Sequence, residues 1–192
     1  MNNMDFRKYF PNRNKNKKND VYDFFISKDE SVIYKKNKNA PSRFNKLMQN
    51  EDRKNDFKNI LSGEGIIKDL RPNVVNGFDL ETDGSHKSEF IHGYRLDLIR
   101  EYDLSEDIFL KIIVECKKLL LKLKIAALDE VLIGDWALHN LVYSLKYECI
   151  INVDLEGFVT YKPLPEWANY DIISDWILSV ETSKTNQQSK NG

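Results

Sequence analysis

An excess of charge of either sign is what this sequence most plainly lacks: 29 Lys and Arg stand against 30 Asp and Glu, a net charge of −1. Proteins whose main task is gripping nucleic acid show a strongly basic surface, so the balance and a pI near 6.3 disfavour that class. Cysteine is scarce as well. Cys116 lies in a helical stretch and Cys149 in an apolar one, with no metal-ligand spacing between them, and a lone disulfide across such positions would be unusual. Both read as reduced thiols in a cytoplasmic core. No apolar run approaches membrane-spanning length, and the first residues are polar where a secretory signal would be greasy. The expectation is a cytoplasmic chain with no membrane partner.

What remains is the composition of a folded protein with some polar excess: 41% hydrophobic, 31% charged, mean hydropathy −0.55. The 192 residues suffice for one generous domain, or for two small lobes sharing a cleft. Residues 1–20, rich in Asn, Lys and Arg, read as a polar disordered arm. A basic arm could touch phosphate or RNA, but it lacks the interleaved aromatics that base stacking requires. Residues 181–192 read as a frayed polar tail.

Between these ends, strand-like runs at Tyr22–Ser27 and Ser31–Lys36 flank Lys28-Asp29-Glu30, a hairpin composition. A helix is expected from about Pro41, with Phe44, Leu47, Met48, Phe57, Ile60 and Leu61 on one face, stopping at Ser62-Gly63. Short β-like pieces follow at Asn73–Phe78 and Lys87–Ile91, with Asp83-Gly84 as a turn. Ile108–Ala127 has the spacing of a buried helix through Ile112, Ile113, Cys116, Leu119, Leu120 and Leu123. Strand-like runs resume at Asn140–Tyr143 and Cys149–Val153, and Tyr170–Val180 closes the chain as a helix. Strands with one helix, then helices with a small hairpin, make an α+β fold in two unequal lobes.

The richest stretch is Ile133-Gly134-Asp135-Trp136-Ala137-Leu138-His139-Asn140, followed by Val153-Asp154-Leu155-Glu156-Gly157. It resembles the catalytic and metal-binding segments of the protein-kinase-like superfamily, especially the aminoglycoside and choline phosphotransferase branch, where Gly-Asp replaces Arg-Asp. The resemblance implies a two-lobed kinase-like fold with a small β-rich N-lobe over about 21–91 and a reduced, mainly helical C-lobe over about 94–180. It implies that Asp135 accepts the proton of an acceptor hydroxyl, while Asn140 and Asp154 hold magnesium against the phosphates of ATP. Such chemistry asks for one carboxylate near the nucleophile and oxygen ligands on the cation, and these three side chains meet that demand. Taken singly, Asp-x4-Asn arises often by chance, and Asp154 could simply begin a turn after a buried strand.

The same resemblance extends upstream and downstream. Ser31-Val32-Ile33-Tyr34-Lys35 is similar to the N-lobe strand whose lysine meets the nucleotide phosphates, and strand alternation favours Lys35 over Lys36 for that face. Glu51, on the following helix, would pair with that lysine. Ser88-Glu89-Phe90-Ile91-His92-Gly93-Tyr94-Arg95-Leu96 is similar to the inter-lobe hinge, where backbone groups meet the adenine edge, which implies such contacts at Glu89 and Ile91. Asn169-Tyr170-Asp171-Ile172-Ile173 is similar to the helix start whose aspartate braces the catalytic loop, a role that falls to Asp171 with Asp175 as its rival. The departures are plain. No glycine lies between Tyr22 and Ser31, which leaves backbone amides of the Ser27–Glu30 turn to cover the phosphates; Gly63-Glu64-Gly65 follows a helix and reads as a turn. His139 reads as a structural histidine, Trp136 as a packing residue, and His86 and His92 show no zinc-ligand partners.

The expected activity is transfer of the γ-phosphoryl group of ATP, with magnesium, to a hydroxyl of a sugar or another small molecule. A catalytically degenerate kinase-fold binding module or regulator is the first rival, motivated by the missing glycine loop. A structural or nucleic-acid-associated protein using the basic arm is the second. The acceptor, the choice between ATP and GTP, and the oligomeric state have no signature in the sequence.

Overall fold

Short antiparallel strands build the first half of the molecule. The computed structural model describes residues 5–9, 21–38, 55, 58, 59, 61, 62, 65–128, 135–155 and 171–188. Within these, β1 (Phe6–Lys8), β2 (Tyr22–Ser27), β3 (Val32–Asn37), β4 (Asp79–Leu80) and β5 (His86–Glu89) form an antiparallel sheet in the order β1-β2-β3-β5-β4. A second antiparallel sheet joins β6 (Gly93–Arg95), β7 (Leu141–Ser144) and β8 (Ile150–Asn152) in that order. Two long helices follow the first sheet, α1 (Glu106–Leu128) and α2 (Asp171–Gln188). The protein is therefore mixed α+β, with its larger antiparallel sheet N-terminal and its long helices later. No described helix is long and apolar enough to cross a membrane.

Register decides which side chains share a face. Phe24 pairs with Lys35, Lys35 with His86, and His86 with Leu80, so these four point to one side of the first sheet. The other side carries Phe6, Phe25 and Tyr34, whose rings stack at centroid distances of 5.8 and 6.4 Å around Tyr34. Phe6–Lys8 falls inside the stretch that the sequence marked as a polar arm. A three-residue edge strand needs only one ring to anchor it, too small a signal among so many lysines and asparagines.

The main core gathers under the second sheet. Ile112, Ile113, Cys116, Leu119, Leu123 and Ala126 of α1 are buried against Leu141, Ile150 and Ile151, while α2 contributes Ile173, Ile177 and Val180. Burial without a cationic neighbour pushes the Cys116 thiol well above its usual range, as suits an inert packing residue. The helix expected to end at Val180 continues to Gln188, and Lys117 of α1 meets Glu181 of α2 at 2.7 Å in the added turn. The β-like run expected at Asn73–Phe78 is different in kind. A 3-10 segment, Gly65–Asn73, contains Pro72 and leads to a single parallel bridge between Val74 and Asn152, and strand pairing begins only at Asp79. Pro72 has no N–H to give a ladder, and Asn73 spends its side-chain amide on the Ile150 carbonyl at 2.7 Å. Of the helix expected from Pro41, residues 55, 58, 59, 61 and 62 are described, and all are helical.

Three residues, Phe90, Ile91 and His92, join the two sheets. The Phe90 amide donates to Ser31 O at 2.9 Å and the Leu145 amide to His92 O at 3.0 Å, while the His92 ring Nε2 donates to Glu30 O at 2.9 Å. Beside this crossing the Glu89 carboxylate accepts from Lys146 Nζ at 2.7 Å and from the Tyr147 hydroxyl at 2.8 Å, which ties β5 to the β7–β8 turn. Burial pushes the Glu89 carboxyl up, but these donors more than offset it and hold it below its ordinary value. On the far side of the crossing Gly93 lies so close to β7 that a Cβ would collide with the Tyr143 carbonyl. Backbone cannot yield there as a flexible side chain would. Gly93→Ala is expected to lower stability by about 2 kcal/mol or more through forced separation of β6 from β7, read as a fall in the urea midpoint.

Candidate active site

Lys35 leaves β3 on the face that looks toward the second sheet, and its ammonium lies 3.6 Å from Oδ1 of Asp154. Both side chains are largely sheltered, at 13% and 27% exposure. A pair so placed is screened less than a surface ion pair, and it links the two sheets through charge. Asp154 is held there from both sides. Its own N–H donates to the side-chain oxygen of Asn152 at 2.9 Å, and the next residue, Leu155, is buried in the core.

Asn152 is the hub of the site. It is completely buried at the end of β8, and its Nδ2 donates to the backbone carbonyl of Asp135 at 2.9 Å. One side chain thus joins the backbones of Asp135 and Asp154. Asn140 makes a second tie, donating its amide nitrogen to the same Asp135 carbonyl at 3.3 Å, which leaves its oxygen as the end able to meet a cation. The Asn140 carbonyl in turn accepts from the Val153 amide at 2.9 Å. Asp135 closes its own turn by accepting the Ala137 N–H on Oδ1 at 3.1 Å, and its side chain stays half-buried. Trp136 beside it is buried in the core, so packing is its observed role. His139 is exposed.

The structure therefore gathers Lys35, Asp135, Asn140 and Asp154 into one neighbourhood, and adds Asn152 and His86. His86 pairs directly with Lys35 across the ladder, is 2% exposed, and donates from Nδ1 to Gly84 O at 3.3 Å. The rings of Tyr22 and Phe78 flank it at 5.3 Å. Burial first, and then the Lys35 charge, pull its pKa down to about 4. Asn152 gave one usable sign in sequence, an amide inside an otherwise apolar strand run. His86 gave none beyond alternation with Ser88.

Other expected residues stand elsewhere. Glu89 pairs with Val32 and so faces the side opposite Lys35; its carboxylate serves Lys146 and Tyr147, and its amide donates to Asn76 O at 2.9 Å. Ile91 sits half-buried in the crossing, packed against the core. Glu51 lies outside the described residues. Asp171 is the exposed first residue of α2, where a carboxylate suits the helix dipole, and Asp175 is exposed one turn on.

The turn between β2 and β3 departs from the expectation that its amides cover phosphates. The Lys28 amide donates to Asp5 O, that of Glu30 to Ser27 O, and those of Ser31 and Val32 to Ser27 Oγ. Glu30 adopts a left-handed φ of 57°. The hydroxyls of Ser27 and Ser31 donate to Asp29, at 2.5 and 2.8 Å, and these bonds hold its carboxyl below its ordinary value. Spent amides around an anion repel a phosphate.

Among the described residues no group of three or more His, Cys, Asp or Glu could hold a metal. Magnesium asks for less, since it keeps waters and takes one or two protein oxygens beside substrate phosphate, so Asp154 with the Asn140 oxygen fits its donor chemistry.

Two outcomes test this construction. Asn152→Ala should cost on the order of 1–3 kcal/mol in denaturant titration, because it strips partners from the Asp135 carbonyl and the Asp154 amide. His86 binds its proton more weakly folded than unfolded, so it should lower stability as pH falls from about 6.5 toward 4. His86→Gln should flatten that slope by on the order of 3 kcal/mol, measured as unfolding free energy against pH. No protein-family model matches this sequence, and the search of curated proteins finds no match.

Proposed function

We propose that this chain is an ATP-dependent phosphotransferase of the two-lobed protein-kinase-like kind, acting on the hydroxyl of a sugar or another small molecule. The observation that carries the reading is the sheltered Lys35–Asp154 pair, a cation from the N-terminal sheet meeting a carboxylate from the loop after β8. That is the arrangement phosphoryl transfer needs: the lysine offsets phosphate charge and the aspartate faces the cation that accompanies it. In this reading Asp154 and Asn140 would hold magnesium, which when bound neutralises negative charge on the phosphate oxygens. Asp135 orients the acceptor hydroxyl and takes its proton while the new P–O bond forms and the bond to the leaving nucleoside diphosphate breaks. Asn152 keeps the two aspartates in register. Ile91 and the neighbouring backbone would flank the nucleobase at the crossing between sheets.

The closed, anionic Ser27–Val32 turn supports the alternative of a binding module without turnover, because it removes one source of phosphate grip. Both readings require nucleotide to bind, and they part at Asp135. With ATP and magnesium at about a hundredfold excess over Kd, stability should rise by about 2.7 kcal/mol, seen as a higher Tm. Lys35→Met and Asp154→Asn should each remove that shift. Asp135→Asn should keep it and lower ATP consumption by at least ~10²-fold. A shift with no turnover in the unaltered protein selects the binding module; no shift at millimolar nucleotide ends both.

A further inference from the structure

The face of the first sheet that carries Lys35 has an aromatic end. The Tyr9 amide donates to Phe24 O at 2.7 Å, which extends the β1–β2 ladder by one residue and puts Tyr9 in the cross-strand row of Phe24, Lys35 and His86. Two strand spacings, about 10 Å, separate Tyr9 from Lys35 along that row. Ile33 shares the face, two residues before Lys35. Tyr9, Phe24 and Ile33 are half-buried, and all three stand outside the main core. An apolar strip that ends at a sheltered ammonium suits a flat ring carrying an anion.

The second sheet supplies the opposite wall. Leu141 and Tyr143 of β7 turn into the core, so Val142 between them faces the other way, with Arg95 beside it in register. Tyr9 reaches that wall. Burial raises the pKa of its hydroxyl and the Arg95 charge partly offsets the rise, which makes the two groups neighbours across the gap. Its ring meets that of Phe90 in the crossing at 5.5 Å and 76°, an edge-to-face contact that fixes its position.

The crossing holds the remaining groups. The Phe90 amide is spent on Ser31 O and the His92 carbonyl on the Leu145 amide, but among the described residues neither the N–H nor the C=O of Ile91 has a hydrogen-bond partner. Ile91 is half-buried, where unpaired backbone groups cost free energy. A donor next to an acceptor complements the edge of a nucleobase. A nucleotide uses all of these features together: its phosphates meet Lys35, its base edge meets Ile91, and its base plane lies against the ring of Tyr9.

Resting on the phosphotransferase reading, we propose that Tyr9 is the residue that stacks on the nucleobase, and that it makes the site prefer a purine nucleotide to a pyrimidine one because a bicyclic base offers more ring to stack. The test compares ATP, UTP and inorganic tripolyphosphate, each with magnesium, on the full chain, with Kd read from thermal-shift titrations. ATP should bind at least ~10-fold more tightly than either UTP or tripolyphosphate. Tyr9→Leu should weaken ATP at least ~10-fold and leave tripolyphosphate unchanged, which also reports an intact fold. Tyr9→Phe should keep the parent's affinities, whereas Lys35→Met should weaken ATP and tripolyphosphate alike. If ATP binds the unaltered chain no better than tripolyphosphate, the proposal is overturned without any substitution. It is overturned too if Tyr9→Leu preserves the lead of ATP over tripolyphosphate, or strengthens ATP binding because the ring was filling the slot; in these cases the phosphotransferase reading stands. A chain that binds neither ATP nor tripolyphosphate ends both.

Discussion

A buried amide must be satisfied at both ends or the fold loses a kilocalorie or more for each end left bare. Asn152 meets that demand by donating to the Asp135 carbonyl and accepting from the Asp154 amide, so that one cost-driven choice fixes two carboxylate-bearing loops at once. The rest of the site is arranged around it. Asn140 adds a weaker second tie to the same carbonyl, Leu155 pins the far side of Asp154 in the core, and the Lys35 ammonium finds Asp154 already in place. Hydrogen bonding positions the acids, and the Lys35 ammonium meets Asp154 from the other sheet. The hydrogen bonds are what locate the loop, because a 3.6 Å ion pair alone is too loose to do so.

Chemistry divides along the same line. The turn that could have cradled an anion has turned its amides inward on Ser27 and holds a stabilised Asp29 charge, whereas the face behind it offers Lys35 among buried or half-buried groups. His86 sharpens the contrast. A neutral imidazole beside Lys35 leaves the lysine as the local cation, and the depressed pKa follows from that placement together with burial.

Much of this could be read in the sequence because it rests on periodicity. The helix through Ile112, Cys116, Leu119 and Leu123, the hairpin of β2 and β3, and the β7–β8 pair all follow from the spacing of apolar residues, with ends displaced by a residue or two. What escaped depends on side chains bonding to distant backbone. Where a strand was expected from Asn73, a 3-10 segment ends at that residue, its side chain binds the Ile150 carbonyl and Val74 makes one bridge; Lys117 reaching Glu181 accompanies two further turns of α2 that composition marked as tail. Within the site, Lys35 and Asp154 stood out because strand parity and motif spacing are local properties. Asn152 acts through a backbone partner seventeen residues away, and His86 takes its place through pairing with another strand.

The short passage from Phe90 to His92 bears on how such a site would take up a ligand. His92 uses its ring and its carbonyl at once, and Glu89 is gripped by two donors from the neighbouring turn, so little slack is left between the halves. Jaws that swing on a loose pivot can sample guests of many sizes and then shut. In the proposed phosphotransferase, a pivot clamped on both flanks would set the gap in advance, and selectivity would then come from which molecules fit the opening, with little contribution from closing upon them.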